Sequence, residues 1–317
     1  MSPSSPNEFV AMLDCQRHLF DIPDDVAYLN CAYISPLLNA VRDAGIAGTQ
    51  RKSHPWEIFP RDFFTDAEEA RGLFAELIGA TANDVALGSA ASYGTATAAR
   101  NLPVQRGQRI LVLQDQFPSN VYSWHALANE SDGTILTLQR PQDDDWTRSV
   151  LEALDERVAI AALPHVHWTD GAMLDLVRIG ARCREVGAAL VIDGTQSVGV
   201  LPFDVNAIQP DFLAVATYKW LLGPYGAGSW SIIETAISPA RDAMMSASGA
   251  ISIWCRWLKQ GCASYSTGEW ATYSTQYVLA LIGLLSERLT WALLRCHQRV
   301  EQGITWACDF LGACRKV

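Results

Sequence analysis

The residues ALVIDGTQSVGVLPFDVNAIQPDFLAVATYKWLLGPYGAG, positions 189–228, decide the fold of this chain. They contain two short apolar runs that read as buried strands, one from Ala188 to Ile192 and one from Phe212 to Ala216. Short apolar runs bounded by turn residues are typical of parallel strands covered on both faces. The first run leads into Asp193 and the second into Lys219. Because ligands bind beyond the carboxyl ends of such strands, we expect both charged side chains to face one crevice.

A carboxylate and a lysine in one crevice indicate pyridoxal phosphate (PLP). This cofactor binds a lysine amine as a Schiff base and takes an acidic partner at its pyridine nitrogen. A plain ion pair or two solvated charges are the alternative, because charged residues are mostly exposed. The chain has only four lysines, and Lys219 lies between an apolar strand and the glycine-rich turn GPYGAG. We therefore assign Lys219 and Asp193 to a cofactor site.

The segments DGTQS, residues 193–197, and ATYKWLLGPYGAG, residues 216–228, resemble the class V aminotransferase family of fold-type I PLP enzymes. That family includes cysteine desulfurases, kynureninases and isopenicillin N epimerase-like proteins. The resemblance runs from Val26 to Gly228 and more weakly to about Leu285. It implies an α/β fold with a mostly parallel, doubly wound sheet and a smaller C-terminal domain. It also implies a homodimer with its active sites at the interface.

The expected domain organisation has three parts. Residues 1–25 are predicted to form an N-terminal arm, residues 26–238 the large PLP-binding domain and residues 239–317 a portion of the small domain. Acidic residues outnumber basic ones before Pro239, and basic residues outnumber acidic ones after it. Family members usually continue further, so we expect either a shortened small domain or a truncated product with impaired activity. No arginine near the end aligns with the one that binds the substrate carboxylate in many members.

A phosphate site is predicted in VALGSAASYGTATAARNL, residues 85–102. A strand that ends at Gly88 and a helix that begins near Ser92 would offer free N–H groups to an anion. The positive end of the helix dipole adds to this attraction. We place the cofactor phosphate on the N–H groups of Ala91 and Ser92 and on the Ser92 hydroxyl. A plain helix cap is the alternative.

The family resemblance implies further cofactor contacts. The segment DQFPSNVYSWHAL, residues 115–127, is similar to one in kynureninase-like members. There Phe117 would cover the cofactor ring, and Asn120 would approach the phosphate; a core position is the alternative for Phe117. Gln196 would donate to the phenolic oxygen of the cofactor. Tyr218, where desulfurases carry histidine, would reach the phosphate.

Two histidines follow a predicted strand in RVAIAALPHVHWTDG, residues 157–171. The resemblance places His167 where an asparagine often lies close to the cofactor ring. A histidine can donate, accept or relay a proton near neutral pH, so His167 is a candidate catalytic residue. A structural histidine is the alternative.

The remaining site residues are also implied by the resemblance. In VAYLNCAYISPLL, residues 26–38, Asn30 and Tyr33 would lie near the substrate, although an ordinary strand and turn is the alternative. Thr272, in a segment weakly similar to one that completes the phosphate pocket of a neighbouring subunit, is the last candidate.

Composition excludes several other classes of protein. The formal net charge of −10 argues against a nucleic-acid-binding surface. There is no apolar run of about 18 residues that could span a membrane. The N-terminus MSPSSPNEFV lacks the features of a signal peptide, so a cytoplasmic location is expected. The eight cysteines form no CxxC motif and no zinc-finger spacing with histidine, so no metal site is expected.

These assignments predict a PLP-dependent enzyme that acts on an amino acid. Lys219 would move the α-proton, while Asp193 keeps the ring nitrogen protonated. The expected reaction is transamination or Cα/Cβ lyase or hydrolase chemistry of the kynureninase type. Cysteine desulfurase is disfavoured, because no cysteine near the end lies in a reactive-loop motif and Ala216 replaces a desulfurase serine. A degenerate, non-catalytic relative with a binding role is the alternative from another class.

Overall fold

The computed structural model describes residues 14–226 and 228–232. These residues form a single sheet of seven strands: β1 (Val85–Gly88), β2 (Arg109–Leu113), β3 (Thr134–Leu138), β4 (Val158–Pro164), β5 (Ala189–Asp193), β6 (Phe212–Ala216) and β7 (Gly228–Ile232). The strand order is β1-β7-β6-β5-β4-β2-β3. Neighbouring strands are parallel except where β7 pairs with β1 and β6. The carboxyl ends of β1, β4, β5 and β6 therefore meet at one edge of the sheet.

The helices connect and cover these strands. The described α-helices are α1 (Asn39–Arg51), α2 (Thr65–Ile78), α3 (Ala91–Asn101), α4 (Tyr122–Glu130), α5 (Trp146–Ala153), α6 (Leu176–Val186) and α7 (Val205–Ile208). Short 3-10 helices add Arg17–Leu19, Pro55–Glu57, Pro60–Phe63, Ala82–Asp84 and Pro118–Asn120. A helix in each crossover is what a parallel sheet requires, since its strands cannot be joined by tight turns.

Two apolar layers enclose the sheet. On one face, α3 and α4 pack in a cluster with Val112, Val191 and Ala214. On the other face, α2, α5, α6 and α7 pack in a cluster that includes Leu190 and Ile192. Alternate side chains of a strand thus point into opposite layers, as expected for a strand buried on both sides. The predicted doubly wound, mainly parallel sheet is confirmed, with β7 as its antiparallel exception.

Helices α2 and α6 both end at a glycine. Gly79 and Gly187 lie there in the left-handed conformation that glycine adopts readily. At the start of α2, Phe64 occupies the cap position and no side chain caps the helix. The Thr65 hydroxyl donates to the Arg61 carbonyl oxygen at 3.0 Å and so attaches α2 to the preceding 3-10 helix.

Gly199 lets the turn after β5 pack beside the residue that follows Lys219. Its φ of +101° lies in a region that other L-residues rarely adopt. A Cβ at this position would also lie only 2.6 Å from the Trp220 carbonyl oxygen. Glycine is therefore required for the close approach between the β5 and β6 loops that form the cleft.

The domain boundary near residue 238 stays a prediction, because residues 239–317 lie outside the described residues. Most of the predicted N-terminal arm lies outside them as well. Among the described helices, none combines the length and the apolar character needed to cross a membrane.

Candidate active site

A cleft opens at the sheet edge where β1, β4, β5 and β6 end. It is lined by residues from the turn before α3, from the segment after β2 and from the ends of β4, β5 and β6. Seven residues predicted from the sequence lie together in its wall: Ala91, Ser92, Phe117, Asp193, Gln196, Tyr218 and Lys219. Parallel strands bring their carboxyl ends to one edge, which explains why such distant segments meet there.

Lys219 follows β6 and is only 6% exposed. Its amine makes neither a hydrogen bond nor an ion pair with any residue that the structure describes. The Nζ atom lies 5.5 Å from the centre of the Phe117 ring and 5.8 Å from that of Tyr218. Burial lowers the pKa of Lys219, and the nearby charge of Asp193 opposes this shift. The amine is therefore easier to deprotonate than an exposed lysine, which favours a nucleophilic role.

Asp193 ends β5 and is 8% exposed. The backbone N–H of Thr195 donates to its Oδ1 at 3.0 Å. Burial raises the pKa of Asp193, while the side chain and N–H of Thr195 and the charge of Lys219 oppose the shift. No ion pair among residues 14–226 involves Asp193. A cation placed against this carboxylate would therefore gain a partner that the described residues leave open.

The turn before α3 presents unpaired N–H groups. The N-cap residue Ala90 has no side chain that can cap the helix. Its carbonyl oxygen accepts from the N–H groups of Tyr93 and Gly94. The N–H groups of Ala91 and Ser92 have no hydrogen-bond partner in the described part of the chain. Together with the helix dipole, these N–H groups suit an anion.

Phe117 forms one wall of the cleft and remains 36% exposed. Its ring meets the Trp168 ring edge-on, at 5.5 Å between centres and an angle of 90°. The preceding residue, Gln116, is buried, and its amide group donates to the carbonyl oxygens of Asn120 and Ala162. This amide ties the segment after β2 to β4. It therefore holds Phe117 against the cleft.

The Gln196 amide connects the cleft to the N-terminal segment. Its Nε2 donates to the Ala32 carbonyl oxygen at 3.0 Å, and its Oε1 accepts from the Trp220 indole at 3.1 Å. One hydrogen of the Gln196 amide remains available for a ligand. Nearby, Ser35 donates twice to the Tyr218 carbonyl oxygen, from its N–H at 3.0 Å and its hydroxyl at 3.1 Å.

Asn30 and Tyr33 lie on the segment that Gln196 and Ser35 attach, although neither lines the cleft. Both are exposed, and Tyr33 is close enough to raise the pKa of Tyr218 slightly. The larger cause of that raised pKa is burial of Tyr218 itself, followed by its neighbour Tyr225. Tyr218 thus stays protonated and able to donate a hydrogen bond near neutral pH.

The structure does not bring His167 to the cleft. Both of its ring nitrogens are engaged: Nε2 lies 3.0 Å from the Gln114 carbonyl oxygen and Nδ1 lies 2.9 Å from the Thr169 hydroxyl. The imidazole is 2% exposed and stacks on Trp146 at 5.4 Å. The residues on either side of it line the cleft instead, because neighbouring side chains of an extended segment point in opposite directions. This placement favours the structural alternative over the predicted catalytic role.

Asn120 is also directed away from the cleft. It is fully buried, and its Oδ1 accepts from the Trp124 indole at 2.9 Å in the layer formed by α4. Its position at the end of a 3-10 helix explains why the side chain faces α4 rather than the predicted phosphate site. Thr272 lies outside the described residues.

Sequence reasoning missed two kinds of residue in the cleft. Thr195 stands inside the DGTQ segment, so a polar side chain two positions after Asp193 could have indicated it. The aromatic residues Trp168 and Tyr225 also line the cleft. No signal in the sequence distinguishes them from other aromatic residues.

The residues of the cleft fit PLP. A buried amine with no hydrogen bond or ion pair to the described residues suits the aldehyde of that cofactor, and a buried carboxylate that forms no ion pair with them suits its ring nitrogen. The N–H groups at α3 that lack a described partner suit its phosphate, and the Phe117 ring suits its flat face. Within residues 14–226 and 228–232, no cluster of histidine, cysteine or acidic side chains could hold a metal ion.

Fold and cleft together define a PLP-dependent enzyme of fold type I. The family model described as aminotransferase class-V matches residues 57–258. The chain belongs to the class-V aminotransferase family, and its cofactor is PLP. The family resemblance and the cofactor that it implied are thereby confirmed.

Known proteins give the same class. The chain is 30% identical over 156 residues to an uncharacterized aminotransferase, YcbU, of Bacillus subtilis. This match covers 49% of this chain and 41% of that protein. It is 28% identical over 162 residues to a probable cysteine desulfurase of Methanothermobacter thermautotrophicus, covering 51% and 40%. It is 27% identical over 164 residues to isopenicillin N epimerase of Streptomyces clavuligerus, covering 50% and 41%. The matches thus span about two fifths of the length of these relatives.

Solved structures share the fold. A mutant of C-DES, with glycine covalently linked to its PLP cofactor, superposes with a TM-score of 0.69 at 20% identity, covering 85% of this chain and 73% of that one. The apo cysteine desulfurase from Thermococcus onnurineus superposes with a TM-score of 0.66 at 18% identity, covering 89% and 70%. Because probable cysteine desulfurases are among the relatives, the reaction that the sequence disfavoured stays open.

Proposed function

We propose that this chain acts on an amino acid by transamination or by Cα/Cβ lyase or hydrolase chemistry, with Lys219 as the residue that binds the cofactor covalently. One observation carries the proposal: a buried amine that lacks any described partner shares a cleft with the buried carboxylate of Asp193. When bound, PLP supplies an electron sink for negative charge at the substrate α-carbon.

Lys219 has two tasks in this proposal. Its amine binds the aldehyde of the cofactor, which requires the neutral form that burial favours. Once an amino-acid substrate has displaced that amine, the Nζ atom accepts the proton from the substrate α-carbon. The aromatic rings of Phe117 and Tyr218 flank the amine and limit the access of water.

Asp193 holds the proton of the ring nitrogen. The charge of a protonated ring nitrogen would favour the carboxylate form, against the effect of burial on the Asp193 pKa. The N–H groups of Ala91 and Ser92, the Ser92 hydroxyl and the Tyr218 hydroxyl bind the phosphate. Gln196 donates its remaining amide hydrogen to the phenolic oxygen, and Asn30 and Tyr33 approach the substrate from the attached segment.

The finer assignments rest on the family alone. We infer a kynureninase-type reaction from the FPSNVY segment and from Tyr218, with cysteine desulfurase as the second candidate because of the relatives described above. The proposed assembly is a homodimer and the proposed location is the cytoplasm.

The first test is cofactor binding by the purified full chain. Added PLP should give a yellow protein, and reduction with borohydride should link the cofactor covalently. Lys219→Ala should abolish both the visible band and the covalent link, whereas Lys52→Ala, at an exposed lysine outside the cleft, should change neither. A colourless wild-type protein whose thermal stability does not respond to PLP would instead support a degenerate, non-catalytic relative.

The second test identifies the reaction. The yellow protein is incubated with amino acids, kynurenine and cysteine included, and the products are measured. A keto acid together with the aminated cofactor indicates transamination, and alanine released from kynurenine indicates the hydrolase reaction. Sulfur transfer from cysteine, with alanine as product, would indicate desulfurase chemistry instead of transamination or hydrolysis.

A further inference from the structure

We propose, resting on the function proposed above, that Thr195 is a positioning residue that holds the Asp193 carboxylate in place for the ring nitrogen of the cofactor. It lies in the turn directly after β5 and lines the cleft, although it is 7% exposed. Its side chain links the turn that carries Asp193 to the strand that leads to Lys219.

Thr195 holds the carboxylate through its backbone. Its N–H donates to Oδ1 of Asp193 at 3.0 Å, and its side chain lowers the pKa of the same carboxyl group. The N–H contact fixes the position of one carboxylate oxygen. The remaining acceptor positions of the carboxylate are left for a donor inside the cleft.

The hydroxyl of Thr195 is itself oriented by the next strand. The Ala216 N–H, at the end of β6, donates to the Thr195 Oγ1 at 3.0 Å. This bond attaches the turn to β6, and the N–H of the same residue donates to the carboxylate. Thr195 thus links β6 to the carboxylate at the end of β5 through two hydrogen bonds, one at its hydroxyl and one at its N–H.

No other described group replaces this contact. The groups that face Asp193 are Lys219, whose charge lowers the Asp193 pKa, and Tyr218, whose own pKa Asp193 raises. The adjacent His165 donates its backbone N–H to the Asp193 carbonyl oxygen at 3.2 Å. Burial lowers the pKa of His165 to about 4, so its ring is neutral at physiological pH. Loss of the Thr195 hydroxyl would therefore remove the bond to Ala216 that attaches the turn holding the carboxylate to β6.

The test compares Thr195→Val, which keeps the shape but loses the hydroxyl, with Thr195→Ser, which keeps the hydroxyl. Dissociation constants for PLP are measured by absorbance across a pH series on the full chain. We expect Thr195→Val to weaken PLP binding about tenfold, as for the loss of one buried hydrogen bond, here the one between the hydroxyl and the Ala216 N–H. Thr195→Ser should bind within about twofold of the wild type.

The pH series separates positioning from a merely structural role. The Thr195 side chain lowers the Asp193 pKa, so its loss raises that pKa, and the pH below which PLP affinity falls should move upward in Thr195→Val. A merely structural role would lower the thermal stability and leave that pH unchanged. Equal affinity and an equal pH limit in Thr195→Val would overturn the proposal.

Two controls complete the design. If Thr195→Val does not fold, Thr195→Ala takes its place, and failure of both to fold would assign Thr195 a structural role and overturn the proposal. A wild-type protein that does not bind PLP would contradict the proposed function itself. If the wild type binds PLP and Thr195→Val binds it with the same affinity and pH dependence, only this inference is contradicted.

Discussion

The two ends of the cleft are built in different ways. At the ring end, Asp193, Thr195 and Lys219 are each less than a tenth exposed, and a hydrogen bond from the Thr195 N–H already holds the carboxylate. At the phosphate end, Ser92 is exposed, and the N–H groups of Ala91 and Ser92 have no partner in the described part of the chain. The first end consists of buried side chains and the second of open backbone groups.

This difference indicates which substitutions matter at each end. A buried side chain that carries charge cannot be replaced without changing the chemistry of the ring end. A backbone N–H remains when its side chain is changed, so the phosphate end should tolerate most substitutions. Three variants test whether the two ends differ in this way, and their expected effects on PLP affinity decrease from the first to the third.

Asp193→Asn should have the largest effect of the three. It removes the charge that faces the ring nitrogen while it preserves the shape of the side chain and the Thr195 N–H contact. We expect PLP affinity to fall about 100-fold or more, because a buried charge partner is lost. Absorbance titration measures this change, and Asp155→Asn, at a carboxylate outside the cleft, is the control. An unchanged affinity would contradict the role of Asp193.

In the absence of PLP, Asp193→Asn should not lower the free energy of unfolding. Because the pKa of Asp193 is raised in the folded state, its carboxyl group favours folding at low pH, and that contribution is lost as the pH rises through the raised pKa. Asp193→Asn should therefore raise the free energy of unfolding by about 1 kcal/mol near pH 8, and by less in acid. Urea unfolding at both pH values measures the difference. If the variant were less stable than the wild type near pH 8, interactions of the Asp193 charge with its neighbours would outweigh the cost of burying it.

Ala91→Pro tests the backbone of the phosphate end. Ala91 is the first residue of α3 and follows an extended residue, Ala90, so proline suits the helix there. It removes one N–H, and we expect PLP affinity to fall about tenfold, as for a hydrogen bond to a charged group. Asn39→Pro is the matched control, because Asn39 is the first residue of α1 and does not line the cleft. Equal affinities in the two variants would show that the Ala91 N–H does not bind the phosphate.

Ser92→Ala should have the smallest effect. It removes one hydroxyl and keeps both N–H groups, so we expect only about a threefold loss of PLP affinity. The same absorbance titration measures it, with Ser123→Ala, outside the cleft, as the control. A loss larger than that of Ala91→Pro would reverse the comparison and make the phosphate end depend on side chains.

The predictions from sequence succeed where the signal is local. The second apolar run has the bounds of β6, β5 lies one position later at each end than the first run, and the start of α3 differs from its prediction by one position. Each depends on a contiguous pattern of apolar, small and turn residues. Because strand ends and helix starts meet at one sheet edge, these local patterns were enough to place Lys219 and Asp193 in one cleft.

The predicted residues that the structure does not bring to the cleft are distinguished by side-chain direction. His167 and Asn120 lie in the right segments, yet the first stacks on Trp146 and the second bonds to Trp124, both in the helical layers. A shift of one residue in an extended segment turns a side chain to the opposite face. The sequence alone does not fix that alternation where a strand ends. Thr195 was missed for a related reason, since its hydrogen bond to Ala216 joins two strands.

The double contact from Ser35 to the Tyr218 carbonyl oxygen has a consequence for the order of assembly. The two residues are separated by 183 positions, so the ribosome completes β6 long after it has made the segment that carries Asn30 and Tyr33. Domains generally fold from the N-terminal side during synthesis, but this segment has to wait for its partner. The part of the molecule nearest the proposed substrate is thus among the first to be made and among the last to be fixed in place.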